Sequence, residues 1–73
     1  MPRDIPIRGD MIRLGQLLKL AGVVEGGGEI RAFLAEATVL VNGEPEARRG
    51  RQLAPGDLVE VNDLALRVAR GPD

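Results

Sequence analysis

The chain has 73 residues, a formal net charge of −1, and neither cysteine nor histidine. A chain of this length forms one small domain with a thin core. Without cysteine and histidine it cannot build a disulfide, a zinc site, or a Ser-His-Asp or Cys-His catalytic centre. We therefore expect no cofactor and no metal, and any nucleic-acid binding must depend on how the charges are segregated.

Two features that the sequence lacks bear on the location of the protein in the cell. No apolar run approaches the length that spans a bilayer. The N-terminal Met1-Pro2-Arg3-Asp4 lacks the hydrophobic region of a signal peptide. We expect a cytoplasmic protein that does not contact membranes.

The first third of the chain predicts a loose arm and one helix. Residues 1–10 show no clear periodicity and contain two prolines, so we expect a flexible arm that pairs at most briefly as an edge strand. A short strand at residues 11–13 is predicted to lead into helix one at 14–21, where apolar residues recur at i, i+3, i+4 and i+7. Gly22 suits its C-terminal cap.

The run Gly26-Gly27-Gly28 leads into the second predicted helix, which extends from about Gly28 to Glu36. Its backbone N–H groups can cradle a phosphate at a helix N-terminus. The alternative, a tight turn between the helices, is the interpretation we favour, because no Lys-Ser/Thr of a P-loop follows. Phe33, the only aromatic residue, lies on the apolar stripe of this helix and is expected in the core.

The remainder predicts short strands joined by turns. Asn42-Gly43 is a strong hairpin signal, and Pro45 makes the return strand short. The predicted strands and turns are Thr38–Val41, Glu44–Glu46, Pro55-Gly56-Asp57, Leu58–Val61, Asn62-Asp63 and Leu64–Val68. The fold class is therefore α+β, with two helices packed on a small antiparallel sheet in one domain at residues 11–68. Residues 69–73 should fray.

A basic loop follows the hairpin. Residues 47–56 hold three arginines and no acid: Arg48, Arg49 and Arg51. Arginine makes bidentate contacts to phosphate and stays charged at neutral pH. The alternative is a solvated loop whose arginines pair with Glu44 and Glu46. Arg31 favours the functional interpretation, because its flank of helix two carries no acid, and Lys19 extends the surface if helix one lies alongside.

The shortage of aromatic residues decides what kind of RNA such a surface could bind. Recognition of splayed single-stranded bases needs aromatic stacking platforms, and this chain offers none. The RNA features that such a surface can still recognise are the phosphates and the shape of a folded region. Catalysis is not expected, because the candidate carboxylates Asp57, Glu60 and Asp63 show no pairing across a pocket.

Several segments together resemble the S-four RNA-binding domain, named after the fourth protein of the bacterial small ribosomal subunit. The resemblance covers about residues 11–62. The segments that carry it are Arg13-Leu14 with Leu17-Leu18, the Gly22 break, Phe33-Leu34, Val39-x-Val41-Asn42-Gly43 and Pro55-Gly56-Asp57-Leu58-Val59-Glu60-Val61. Two further segments, 14–22 and 44–51, look closest to the small stand-alone bacterial proteins of the YbcJ type.

The resemblance implies a two-helix alpha-L motif packed on a small sheet, with folded RNA bound across the helices and the hairpin loop. The partners it implies are structured ribosomal or transfer RNA and ribosomal particles. Separately from the resemblance, we expect a monomer. The RNA-binding residues it implies are Arg13, Lys19, Arg31, Asn42, Gly43, Arg48, Arg49 and Arg51. This chain departs from the family at Gly26 and Gly27, where most members carry Ser-Arg, and at Gly15, where an Asp is usual.

Two other interpretations stay open. A protein-interaction adaptor would use the arginines as a rim around an acidic partner. The pattern Val-Asn-Gly-Glu followed by Leu-x-Pro-Gly-Asp also occurs in ubiquitin-like sulfur carriers, but these need a C-terminal Gly-Gly, and this sequence ends Arg70-Gly71-Pro72-Asp73.

Overall fold

Two helices lie against a mixed five-stranded sheet, with a separate two-stranded sheet beside them. The structure is a computed structural model, and it describes residues 1–72. The elements in chain order are β1 (Arg3–Ile7), β2 (Ile12–Arg13), α1 (Leu14–Leu20), α2 (Gly27–Glu36), β3 (Val39–Val41), β4 (Glu44–Pro45), β5 (Gln52–Leu53), β6 (Leu58–Val61) and β7 (Leu64–Arg70). The larger sheet has the order β1-β7-β6-β3-β4, and β2 pairs with β5. The predicted α+β class is confirmed.

Helix α1 ends as the sequence predicts. Gly22 has a φ of +80°, which suits a residue without a side chain. Its N–H donates to the carbonyl of Lys19, and the N–H of Val23 donates to the carbonyl of Leu18. These two bonds form a Schellman cap, which satisfies carbonyls that the helix itself leaves unpaired and turns the chain toward α2.

The hairpin between β3 and β4 also follows the prediction. Asn42 and Gly43 both have positive φ, at 51° and 86°, as a type I′ turn requires. The Asn42 side chain accepts a hydrogen bond from the N–H of Leu58 at 2.9 Å and donates to the Asp57 carboxylate at 3.1 Å. The hairpin is thereby fastened to the turn that precedes β6.

One core joins both helices to one face of the larger sheet. Alternate residues of each strand point inward, as in β6, where Val59 and Val61 are buried and Leu58 and Glu60 are half-buried. No polar or charged residue is buried among the described residues. Phe33 packs against this core but is only partly buried, so the expected core position holds in part. The buried residues are Ile5, Ile7, Leu14, Leu17, Leu18, Ala21, Val24, Ile30, Leu34, Val39, Val41, Leu53, Val59, Val61, Leu66 and Val68.

The N-terminal segment differs from the predicted flexible arm. Strand β1 pairs with β7 in parallel along its whole length, from Arg3 opposite Leu66 to Ile7 opposite Arg70. Ile5 and Ile7 are each 4% exposed, so this strand contributes directly to the core. The sheet is therefore mixed rather than wholly antiparallel. The sequence could not show this, because the partner strand lies at the other end of the chain.

Pro6 protects the outer edge of β1. The Ile7 carbonyl accepts a hydrogen bond from Gly71, so alternation along the strand turns the Pro6 backbone to the open side. Proline has no N–H to offer an incoming strand, which is a common way to blunt a sheet edge.

The C-terminal segment is more ordered than expected. Ala69 and Arg70, predicted to fray, belong to β7, and the N–H of Gly71 bonds to Ile7. Asp73 lies outside the described residues. Across residues 1–72, none of the helices has the length and apolar character needed to cross a membrane.

Candidate nucleic-acid interface

The basic loop between β4 and β5 is fastened to the beginning of α1. The N–H of Leu14 donates to the Arg51 carbonyl and that of Gly15 to the Arg49 carbonyl, both at 2.9 Å. The first N–H groups of a helix have no partner within it, so the loop supplies what the helix lacks. The backbone of the arginine run is thus held at a fixed place.

Gly15 allows α1, α2 and the loop to meet closely. A Cβ atom at this position would lie 3.2 Å from the Ile30 Cγ2 atom and 3.3 Å from the Arg49 Cβ atom. These distances are shorter than ordinary van der Waals contact, so any side chain would push its neighbours apart. The close packing at Gly15 therefore disfavours the aspartate that the family resemblance would place at this position.

A depression of about 350 Å³ lies between α2 and the basic loop. Arg31 from the helix and Arg49 from the loop line it, with Leu34, Ala35 and Ala47 completing the surface. Both arginines are exposed, and within residues 1–72 neither has a carboxylate at ion-pair distance. Two unneutralised guanidinium groups facing one concave surface favour a bound anion.

Glu46 holds the other two arginines of the loop. Its carboxylate accepts hydrogen bonds from the Arg48 side chain at 3.0 and 3.1 Å and from Arg51 at 2.9 Å. It also accepts one from the Arg48 backbone N–H at 3.2 Å. The side-chain bonds from Arg48 and then Arg51 lower the pKa of Glu46 to about 2, and Glu46 raises the pKa of Arg48. The predicted alternative of internal pairing thus applies to two of the three arginines.

Arg48 and Arg51 also line a second depression, of about 490 Å³, together with Gly50 and Gln52. Arg48 is exposed and Arg51 half-buried. Their guanidinium groups each carry five N–H donors, more than the contacts with Glu46 consume. They can therefore contact a phosphate while they remain held by Glu46.

The two predicted cations of α1 lie apart from the depression. Arg13 is exposed at the helix start, where its N–H donates to the Gln16 side chain at 3.2 Å. Lys19 is exposed in the last turn and lines a different groove with Leu20. The structure therefore brings Arg31 and Arg49 together, and places Lys19 in a groove that shares no lining residue with the depression.

Asn42 and Gly43 have a structural position in the hairpin. The Asn42 amide is engaged by Leu58 and Asp57. These contacts give the Asn42-Gly43 and Pro55-Gly56-Asp57 segments a structural role that does not require contact with RNA.

The glycine run at the beginning of α2, with Gly26 as the N-cap, fits a tight connection between the helices better than a phosphate cradle. The Glu29 carboxylate folds back to accept a hydrogen bond from the Glu25 N–H at 3.2 Å. An acid at this helix end repels a phosphate and itself complements the helix dipole. A side chain at Gly26 or Gly28 would meet open space, so neither glycine is required by crowding.

Sequence reasoning missed the role of Gly15, and it gave the pairing of the arginines with Glu44 and Glu46 only as an alternative. The sequence did carry a signal for Glu46, since an acid lies two residues before Arg48 and five before Arg51. For Gly15 there was none within helix one, because the close approach comes from residues far along the chain.

The fold and the site define a class of protein: a small α+β domain that holds an arginine-bearing loop against a two-helix motif. The family model described as the S4 domain matches residues 5–69, and the chain belongs to this family of RNA-binding domains. The match begins at Ile5, so it includes part of β1. Among curated proteins, the chain is 54% identical over 61 residues to the probable ribosome maturation protein RlbA of Bacillus subtilis (strain 168), covering 84% of this chain and 86% of that protein.

Proposed function

We propose that this protein binds folded RNA, ribosomal or transfer RNA, through phosphate and shape contacts and without catalysis. The observation that carries the proposal is the depression between α2 and the basic loop, where Arg31 and Arg49 face one concave surface and have no acidic partner within residues 1–72. Membership of the S4 family supports RNA as the polyanion. It also decides against the ubiquitin-like alternative.

The lack of a stacking platform supports recognition by shape. Phe33 is the only aromatic residue and packs against the core. Sequence-specific binding of unstacked bases uses exposed aromatic rings, so phosphates held at the spacing of a folded or duplex region are the better target.

Ribosomal particles are the proposed setting. The relative in Bacillus subtilis bears the name of a ribosome maturation protein, and it matches this chain over most of both lengths. Co-sedimentation of the protein with separated ribosomal subunits tests this part of the proposal. A protein that remains in the supernatant at low salt would contradict it.

The RNA proposal is tested by fluorescence anisotropy with structured ribosomal and transfer RNA fragments and an unstructured oligomer, at two salt concentrations. Arg31→Ala and Arg49→Ala should each weaken binding to structured RNA and reduce the salt slope by about one unit, as the loss of one phosphate contact predicts. The weakening should be similar across sequences, because phosphates carry no sequence information.

Arg67→Ala is the matched control. Arg67 is exposed on β7, on the side opposite to the buried Leu66 and Val68, and so faces away from the helices. Its removal should leave the salt slope unchanged. Equal losses of RNA affinity in all three variants would show that binding depends on total charge and not on the depression. If the wild-type protein does not bind RNA at low salt, the adaptor alternative is favoured.

A further inference from the structure

A second concave surface lies between α1 and the segment that runs from β1 to β2. This α1 groove, defined by Ile7, Arg8, Met11, Ile12, Lys19 and Leu20, runs between the end of β1 and the outer face of the helix and has a volume of about 760 Å³. Gly15 packs toward α2 and the loop, whereas Lys19 and Leu20 line the groove. The groove and the arginine depression share no lining residue, because α2 and the basic loop line the depression and α1 lines only the groove.

The groove concentrates exposed apolar surface. Four large apolar side chains are exposed among residues 1–72, and two of them, Met11 at 42% and Leu20 at 56%, line this groove. Ile7 and Ile12, buried and half-buried, also line it. Clustered apolar surface with a polar rim is typical of a surface that binds protein. The unbranched thioether of methionine adapts to different apolar partners.

The charges at the groove are all of one sign. Arg8 and Lys19 line it, no acidic residue does, and within residues 1–72 neither cation is in an ion pair. The acid closest to Arg8 in the following sequence, Asp10, is held by Arg70 at 2.8 Å. A complementary partner therefore carries negative charge beside apolar side chains.

We propose that the α1 groove docks an amphipathic segment of a protein partner, with apolar side chains against Met11 and Leu20 and acidic side chains against Arg8 and Lys19. RNA fits this surface less well, because the exposed apolar atoms would be covered by phosphate and sugar without an aromatic ring for stacking. The proposal does not depend on the RNA-binding function, because none of the residues that line the groove lines the arginine depression.

The probe is a synthetic helical peptide of about 14 residues, a length at which helices begin to hold in water. It carries leucine on one face and glutamate on the flanks. Binding to the 73-residue protein is followed by NMR mapping of amide shifts. Shifts should concentrate at Met11, Ile12, Lys19 and Leu20. The same peptide with lysine in place of glutamate should not bind, because Arg8 and Lys19 would repel it.

Two serine variants distinguish specific binding in the groove from nonspecific hydrophobic binding of the peptide. Leu20→Ser removes an apolar side chain from the groove, whereas Leu64→Ser removes one of similar exposure, 46%, that lies outside it. Leu20→Ser should weaken peptide binding roughly 10-fold, as loss of a central apolar contact does, and leave RNA binding unchanged. Leu64→Ser should leave both unchanged.

Three results would overturn the proposal. Absence of shifts at the groove would remove the docking site. A loss of RNA binding in Leu20→Ser would make the groove part of the RNA surface. Self-association of the protein without peptide, abolished by Leu20→Ser, would make a second copy the occupant.

Discussion

Single residues decide which arginines of the basic loop are neutralised. Glu46 takes Arg48 and Arg51, and leaves Arg49 to face the depression with Arg31. The sequence showed three equivalent arginines and two candidate acids. Only the folded loop shows that one acid takes two arginines, because this depends on the backbone turn between Arg48 and Arg51, which are joined by a hydrogen bond of 3.2 Å.

Acid should loosen the loop through Glu46. Its pKa is about 2 in the folded protein against an ordinary value of 4.5. A carboxyl group whose pKa is lowered by folding stabilises the fold above its unfolded pKa, and this contribution is lost as the pH falls from 4.5 through about 2. Glu46→Gln should therefore lower the free energy of unfolding near neutral pH and lose less stability than the wild type over that acidic range.

The comparison uses urea unfolding followed by circular dichroism at several pH values. Glu44→Gln is the matched control, since Glu44 is a neighbouring exposed acid that has no ion pair within residues 1–72. Its stability curve should run parallel to that of the wild type. Parallel curves for Glu46→Gln as well would show that these ion pairs do not contribute to stability, as many exposed pairs do not.

At the scale of elements, local signals located α1, α2 and the hairpins, because each depends on residues close in sequence. The Schellman cap at Gly22 and the Asn42-Gly43 turn are of this kind. The candidate site was only partly predictable. The arginine run was visible, but Lys19 faces another groove, and the junction of α1, α2 and the loop at Gly15 depends on contacts between distant segments.

Gly15→Ala tests that junction. The added methyl group would lie 3.2 Å from the Ile30 Cγ2 atom and 3.3 Å from the Arg49 Cβ atom. Overpacking costs about 1–3 kcal/mol, and the higher helix propensity of alanine offsets about 1 kcal/mol of it. We expect a net loss of about 1 kcal/mol in the free energy of unfolding, together with weaker RNA binding because Arg49 is displaced.

Gly28→Ala is the corresponding change in α2, where a Cβ atom would meet open space. It should raise the free energy of unfolding by up to about 1 kcal/mol and leave RNA binding unchanged. Urea unfolding and anisotropy measured on both variants separate the two effects. Unaltered RNA binding in Gly15→Ala would show that the depression tolerates a shift of the loop.

At the scale of the whole molecule, a chain of net charge −1 presents unneutralised cations on particular surfaces. Folding separates them: Arg31 and Arg49 lie in the depression, Arg8 and Lys19 in the α1 groove, and Glu46 is confined to its two arginines. Net charge alone would have argued against nucleic-acid binding. The distribution that favours it becomes visible when the fold brings α2 and the basic loop together, with Arg31 beside Arg49.

Strand β1 ties the N-terminal segment into the sheet and core, so that this segment should unfold together with the rest of the domain. The variant Ile5→Ala tests this. Ile5 is 4% exposed and lies on the strand that joins the N-terminus to β7. Removal of a buried isoleucine side chain costs about 2–5 kcal/mol, a large share of the stability of a domain this small. Circular dichroism and RNA binding should be lost in the same urea transition, because a small domain unfolds cooperatively. Pro6→Ala, on the open edge, should change stability far less. A loose N-terminal arm would instead leave Ile5→Ala as stable as the wild type.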